Sequence, residues 1–114
     1  NMPFEIGKAL LLQEGTDVSI FATGHLVWKA LQAAEILAQK GISAEIINIH
    51  TIKPLDEEAI LASVAKTRCV VSAEEHQRFG GLGSAIAELL SQKLPTPQEF
   101  VAVNDSFGES GTPD

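Results

Sequence analysis

Residues 72–90, SAEEHQRFGGLGSAIAELL, place two adjacent carboxylates, Glu74 and Glu75, and an imidazole, His76, ahead of a glycine cluster. Gly80, Gly81 and Gly83 make up that cluster, with Ser84 beside them. Carboxylate and imidazole can relay protons. Glycines that open a helix allow close backbone approach, and the helix N-terminus can hold an anion. A second stretch of this kind is Thr23-Gly24-His25, where a strand ends and a helix begins. His50 follows a third apolar run. All three histidines thus fall just past the carboxyl ends of expected strands, which is where open parallel sheets bind ligands. If those strands are neighbours, the rings share one rim.

The competing readings can be weighed residue by residue. A three-histidine metal site lacks support, because no pair has helical i, i+4 spacing and no acid sits at a ligand spacing. Residues 79–84, FGGLGS, match neither the dinucleotide fingerprint nor a phosphate-binding loop, since no Gly-Lys-Ser/Thr follows. A structural turn or an interdomain contact is the expected role, with a small-anion site as the alternative. Glu74 and Glu75 point to opposite sides of a continuing strand, so they are not a paired acid–base dyad. Glu74 and His76 would share a side, as a rim ion pair. Ser72, Ser84 and Ser106 have no nucleophile elbow and no evident base–acid partners. Trp28 lies on a helix apolar nearly all round, so core or interface is expected. Cys69, the single cysteine, precedes Val70 and Val71 and reads as a buried thiol.

The elements that must position these residues alternate. Strands are expected at 8–13, 18–23, 44–49, 69–73 and 99–103. Helices are expected at 25–40, 57–66 and 83–94. Gly41 stops the first helix, Asp56 caps the second with Glu57 and Glu58 in its first turn, and Pro95 lies past the third. The order β-β-α-β-α-β-α-β, with strands apolar on both faces, implies an α/β fold with a mostly parallel sheet. The first strand forms either a hairpin with the second or an antiparallel edge elsewhere.

Length and composition set outer bounds. A chain of 114 residues with 45% hydrophobic and 20% charged content is one globular domain. Its net charge of −7 gives no electrostatic footprint for nucleic acid or anionic lipid. No apolar run is long enough for a membrane span. One cysteine fits a reducing compartment, and a cytoplasmic location is expected. Asn1 ahead of Met2 suggests an expression scar over 1–5. The polar stretch 105–114 reads as a tail, so the chain is expected to be a fragment of a larger one.

These residues also resemble a known family. EEHQRFGGLGSAIAELL, preceded by IINIHTIKPLDEEAI and by DVSIFATG, is similar to the C-terminal domain of the transketolase superfamily of thiamin-diphosphate enzymes. The likeness runs from about Ile6 to Asp114. The strand–TG–helix start, the IKPLD loop and the acid-acid–glycine turn are shared with 1-deoxyxylulose-5-phosphate synthases and 2-oxo acid dehydrogenase beta subunits. The ending NDSFGESGTPD resembles transketolase most, particularly the C-terminal subunit of split transketolases. The resemblance implies a three-layer α/β/α sandwich. Its mixed five-stranded sheet would have order 1-3-2-4-5, with strand 1 antiparallel at an edge. Thr23, Gly24, His25, Glu74, Glu75 and His76 would then flank the point where strand order reverses.

The resemblance further implies an accessory domain with no catalytic and no cofactor-binding residue of its own. Thiamin diphosphate and magnesium would sit in the parent enzyme, between a diphosphate-binding and a pyrimidine-binding domain. The parent would move a two-carbon ketol unit between sugar phosphates, as in the pentose phosphate pathway. This piece would pack on those upstream domains and support a homodimer. The same domain of a 1-deoxyxylulose-5-phosphate synthase or of a 2-oxo acid dehydrogenase beta subunit is the alternative within the resemblance, and a self-standing small-anion binding module is the reading from another class.

Overall fold

A computed structural model describes residues 8–50, 54–75 and 81–103. The strands are β1 (Leu10–Gln13), β2 (Val18–Ala22), β3 (Ala44–Asn48), β4 (Val70–Glu75) and β5 (Gln98–Val103). The helices are α1 (Leu26–Gln39), α2 (Glu57–Thr67) and α3 (Leu82–Lys93). The sheet order is β1-β3-β2-β4-β5. β3, β2, β4 and β5 run parallel, and β1 pairs antiparallel to β3 at the edge. That is the expected 1-3-2-4-5 sandwich, and it settles β1 as an edge strand rather than half of a hairpin with β2.

Two cores explain the layers. Successive strand residues face opposite sides. Val18, Ile20 and Ala22 of β2 therefore join Ala44 and Ile46 of β3 against Leu26, Ala30 and Ala34 of α1. Phe21, Ile47 and Val70 face the other way, onto Ile60 and Val64 of α2 and Ile86, Leu89 and Leu90 of α3. Every residue of β2 is buried, as a central parallel strand requires. Each large side chain taken fully from water contributes about 1.5–3 kcal/mol.

Local signals fix the helix ends. Asp56 accepts the Ala59 N–H at 3.2 Å as the N-cap of α2. Its second oxygen takes the Ala9 N–H at 2.8 Å and so ties the approach to β1 onto the same point. Past α1, Gly41 has φ 84°, Gly41 N–H donates to Ala38 at 3.0 Å and Ile42 N–H donates to Leu37 at 2.9 Å. This pairing is a Schellman motif. α2 ends on Arg68, which takes the left-handed φ of 60° without being glycine.

Three expectations need correction. Cys69 is exposed, not buried, because it sits in the turn between left-handed Arg68 and the first residue of β4. Trp28 is 68% exposed, which corrects only the core half of its core-or-interface expectation; the helical period turns it away from Leu26, Ala30 and Ala34. β1 covers only Leu10–Gln13, and all four residues are exposed despite three leucines, because the strand is an edge strand.

The buried polar side chains of β2 and β3 are partnered, whereas Gln98 Oε1 on β5 is buried without a hydrogen-bond partner among the described residues. Ser19 of β2 meets Ser63 and Thr67 of α2, each at 2.6 Å, forming a hydroxyl cluster between sheet and helix. Glu45 of β3 is almost wholly buried and pairs with Lys66 of α2 at 2.6 Å. The Gly15 N–H donates to the same Glu45 oxygen at 3.0 Å. Burial alone would raise the Glu45 pKa. The Lys66, Gly15 and Ser63 hydrogen bonds, helped by the Lys66 charge, overcome that and hold it below its ordinary value.

Candidate functional site

The carboxyl ends of β2, β3 and β4 form one rim. β2 lies between β3 and β4, and the Thr23 N–H donates to Ala73 across β2–β4 at 3.3 Å. The Ile49 N–H donates to Ala22 at 2.9 Å on the β3 side. Thr23, Gly24 and His25 leave β2 and enter α1, and Glu74 and Glu75 end β4. His50 follows β3 at the same rim and is exposed. The Thr23–His25 turn and the Glu74-Glu75 pair therefore do meet at the switch point. His76 and Gly80 lie outside the described residues.

The two glutamates diverge, as alternation along β4 requires. Glu75 reaches across to α1 and pairs with His25 Nε2 at 2.9 Å, both groups substantially exposed. Glu74 turns toward α3. Its two oxygens accept the backbone N–H groups of Leu82 at 2.7 Å and Gly83 at 2.9 Å. Among the described residues the rim thus carries the ion pair Glu75 with His25, and the expected Glu74–His76 pair lies outside the described residues. Glu74 acts as the N-terminal cap that α3 otherwise lacks, its N-cap being Gly81. The carboxylate also sits where the helix dipole favours negative charge.

This geometry decides what the glycines do. Gly83 lies on the first turn of α3, against β4 and β5. An added Cβ would come within 2.7 Å of the Phe100 ring and 2.9 Å of Ser72 Oγ, so Gly83 serves close helix–strand packing. Gln98 bridges the same corner, donating to Ser72 Oγ at 3.1 Å and to the Gly83 carbonyl at 3.0 Å. Gly24 has φ 58°, which the turn into α1 requires. Ser84 is exposed on α3, with no base or acid joined to it among the bonds of the described residues.

Neither helix start offers an open anion cradle at these positions. The N–H groups of Leu26, Val27 and Trp28 turn back onto Thr23, Gly24 and His25 at 3.1–3.2 Å. Those of Leu82 and Gly83 are filled by Glu74. Among the described residues, no three His, Cys, Asp or Glu side chains gather where a metal could be held. The described rim therefore does not fit a diphosphate or its metal.

Sequence reasoning missed the capping role of Glu74. The signal was present: α3 opens on glycine with no Ser, Thr, Asp or Asn to cap it, so a carboxylate from elsewhere is needed. It also missed the Ser19–Ser63–Thr67 cluster, whose trace is the i, i+4 spacing of two small polar residues on α2.

Comparison with known proteins matches this architecture. The family model described as transketolase, C-terminal domain, covers residues 7–114. A 6-deoxy-6-sulfo-D-fructose transketolase subunit SqwH from a Clostridium species is 55% identical over 100% of this chain and 35% of its own length. A putative transketolase C-terminal section from Methanocaldococcus jannaschii is 48% identical over 97% of this chain and 34% of its own. A 1-deoxy-D-xylulose-5-phosphate synthase from Trichormus variabilis is 43% identical over 98% of this chain and 18% of its own. Among solved structures, a split-gene transketolase described as an inactive beta4 tetramer superposes with a TM-score of 0.89 at 47% identity. That match covers 96% of this chain and 36% of the other. The chain spans about a third of the length of the split-transketolase relatives it matches. By sequence and by fold alike, it belongs to the transketolase C-terminal domain family.

Proposed function

We propose that this chain is the accessory C-terminal part of a transketolase, which transfers a two-carbon ketol unit between sugar phosphates. The observation that carries the accessory role is the Glu74 cap. It closes the start of α3 with the protein's own carboxylate, where a catalytic or phosphate-binding loop would leave backbone N–H groups open. Thiamin diphosphate and magnesium would then be held by upstream pyrimidine-binding and diphosphate-binding parts. The cofactor supplies the carbanion chemistry, and the protein around it supplies position and electrostatics. In this reading Thr23, Gly24, His25, Glu74, Glu75, Gly81, Gly83 and Ser84 shape an interdomain surface. His76 and Gly80 belong to the same stretch of sequence. The parent works as a cytoplasmic homodimer, and its partners are those upstream domains or a companion chain that carries them, with no nucleic acid or membrane involved.

The split-transketolase relatives favour this over a synthase. One acts on 6-deoxy-6-sulfo-D-fructose by its name. Another, from Phocaeicola vulgatus, is part of an apulose-4-phosphate transketolase and is 42% identical over 90% of this chain. The 1-deoxy-D-xylulose-5-phosphate synthases at 42–46% identity keep the synthase branch as the second reading. The test is ketol transfer from xylulose 5-phosphate to ribose 5-phosphate with thiamin diphosphate and magnesium. Transfer by the chain joined to its upstream partner, and none by the 114-residue chain alone, is the expected result. No transfer by a folded, cofactor-loaded parent moves the assignment to the synthase branch. Transfer by the chain alone overturns the accessory role.

A further inference from the structure

Between β1 and α2 lies a cleft of about 290 Å³. Its wall is apolar: Leu11 of β1, Ile47 of β3, and Ala59 and Ala62 of α2 line it. Leu11 is 49% exposed, so this wall still faces water. The two alanines keep the cleft open, where larger side chains would fill it. Glu45 and Lys66 close one end. Glu45 is the second residue of β3, so this end lies opposite the rim formed by the carboxyl ends of the strands. The polar end offers donors rather than acceptors. Glu45 is almost wholly buried, and one of its oxygens takes Lys66 Nζ at 2.6 Å and the Gly15 N–H at 3.0 Å. Ser63 also bonds this carboxylate. An ammonium has three N–H donors. Among the described residues Lys66 Nζ bonds only Glu45, and the Lys66 side chain is 43% exposed. The remaining donors of a held cation therefore stand at the end of an apolar trough.

We propose that this cleft binds a small amphipathic carboxylate, whose head meets Lys66 and whose apolar chain lies along Leu11, Ile47 and Ala62. An apolar lining with a few convergent polar groups is the usual make-up of a small-molecule site. The volume is at the lower limit for such sites, so the ligand is short. A charge-assisted bond to the ammonium selects an anion. Glu45 already holds the Lys66 head in place, so a ligand has little side-chain freedom left to remove there. An amine would meet the Lys66 charge before it reached the buried Glu45. A neutral alcohol would gain the apolar contact without the ionic one.

Hexanoate titrated into the isotope-labelled 114-residue chain, followed by its amide resonances, tests the proposal. At about 0.15 M salt the net charge of −7 is screened beyond about 8 Å, so the local contact decides. The amides of Leu11, Ile47, Ala59 and Ala62 should shift and saturate with a Kd of about 1 mM, the scale for a ligand of about eight heavy atoms. Butanoate, two methylenes shorter, should bind about tenfold more weakly. Ala62→Phe fills the trough from an exposed position and should abolish saturable binding. Lys66→Gln keeps an N–H donor for Glu45 and removes the cation. It should weaken hexanoate about three- to tenfold, leave hexanol unchanged, and be rescued by Lys66→Arg. Far-UV circular dichroism checks that each variant is folded. No saturable shift at about 10 mM hexanoate overturns the proposal, because even weak small-ligand sites fill there. Equal shifts with acetate overturn it in favour of a general anion effect. Tighter binding of hexylamine overturns the ligand class. Hexanoate shifts that survive Ala62→Phe place the site elsewhere and overturn the cleft. None of these outcomes bears on ketol transfer, which stands or falls by its own assay.

Discussion

The Glu74 carboxylate accepts the backbone N–H of Leu82 at 2.7 Å, so the end of β4 caps the first turn of α3. One side chain thereby fixes the strand–helix connection and neutralises the helix start. Replacing it with alanine should cost about 1–2 kcal/mol, the range for loss of an N-cap combined with a dipole-stabilised carboxylate. The same change opens the N–H groups of Leu82 and Gly83. Sulfate or phosphate should then raise the urea midpoint of Glu74→Ala at constant ionic strength while leaving the parent unmoved. Equal anion effects on both would show that Glu74 does not occupy an anion site.

Gly15 and Gly24 look alike in sequence and should respond differently to alanine. A Cβ on Gly15 would stand 2.2 Å from the Ala44 carbonyl carbon, which is backbone and cannot move aside alone. Gly24 has open space around it, and only its φ of 58° resists a side chain. Gly15→Ala should cost about 3 kcal/mol by overpacking, and Gly24→Ala about 1 kcal/mol by left-handed strain. Chemical denaturation of both variants measures the difference.

Arg68 is the mirror case, a non-glycine residue in the left-handed region at the end of α2. Its N–H donates to Val64 at 2.7 Å, a bond any residue can keep. Arg68→Gly should therefore stabilise the chain by about 0.5–1 kcal/mol, with the lost side-chain contact to the Ala65 carbonyl too long at 3.4 Å to offset it. A lower melting temperature would mean that the arginine contributes something beyond this bond.

The strands are legible because a central parallel strand must be apolar on both sides, and VSIFA and AEIIN read that way. Even so, Ser19 and Glu45 sit inside those runs, and their partners on α2 cannot be inferred from spacing within a strand. The position of β1 is not legible from its own residues. KALLLQ looks like a buried strand, and only the family resemblance assigns it to an antiparallel edge. Cys69 departs from expectation, and Trp28 from the core half of its core-or-interface reading, for one reason: apolar neighbours in sequence are not neighbours in space when a left-handed turn or a helical period intervenes. At the rim, the meeting of Thr23–His25 with Glu74-Glu75 follows from topology. The division of labour between the two glutamates depends on where α3 begins relative to β4, which no local pattern encodes.

Glu45 makes stability depend on pH with a definite sign. Its pKa in the folded chain lies below the ordinary value of 4.5, so folding favours the ionised form. The corresponding stabilisation is complete above 4.5 and is lost as pH falls through the lower, folded value, where the carboxyl becomes protonated even in the fold. Glu45→Gln should thus lower the urea midpoint at neutral pH and flatten its decline on acidification. Lys66→Ala should cost more than Glu45→Gln, about 2 kcal/mol or above, because it leaves a buried carboxylate with only the Gly15 N–H and Ser63 to hold it. Urea titrations of the three chains from neutral pH down to the acid limit give the comparison. A parent curve as flat as that of Glu45→Gln would place the acid sensitivity in other carboxylates.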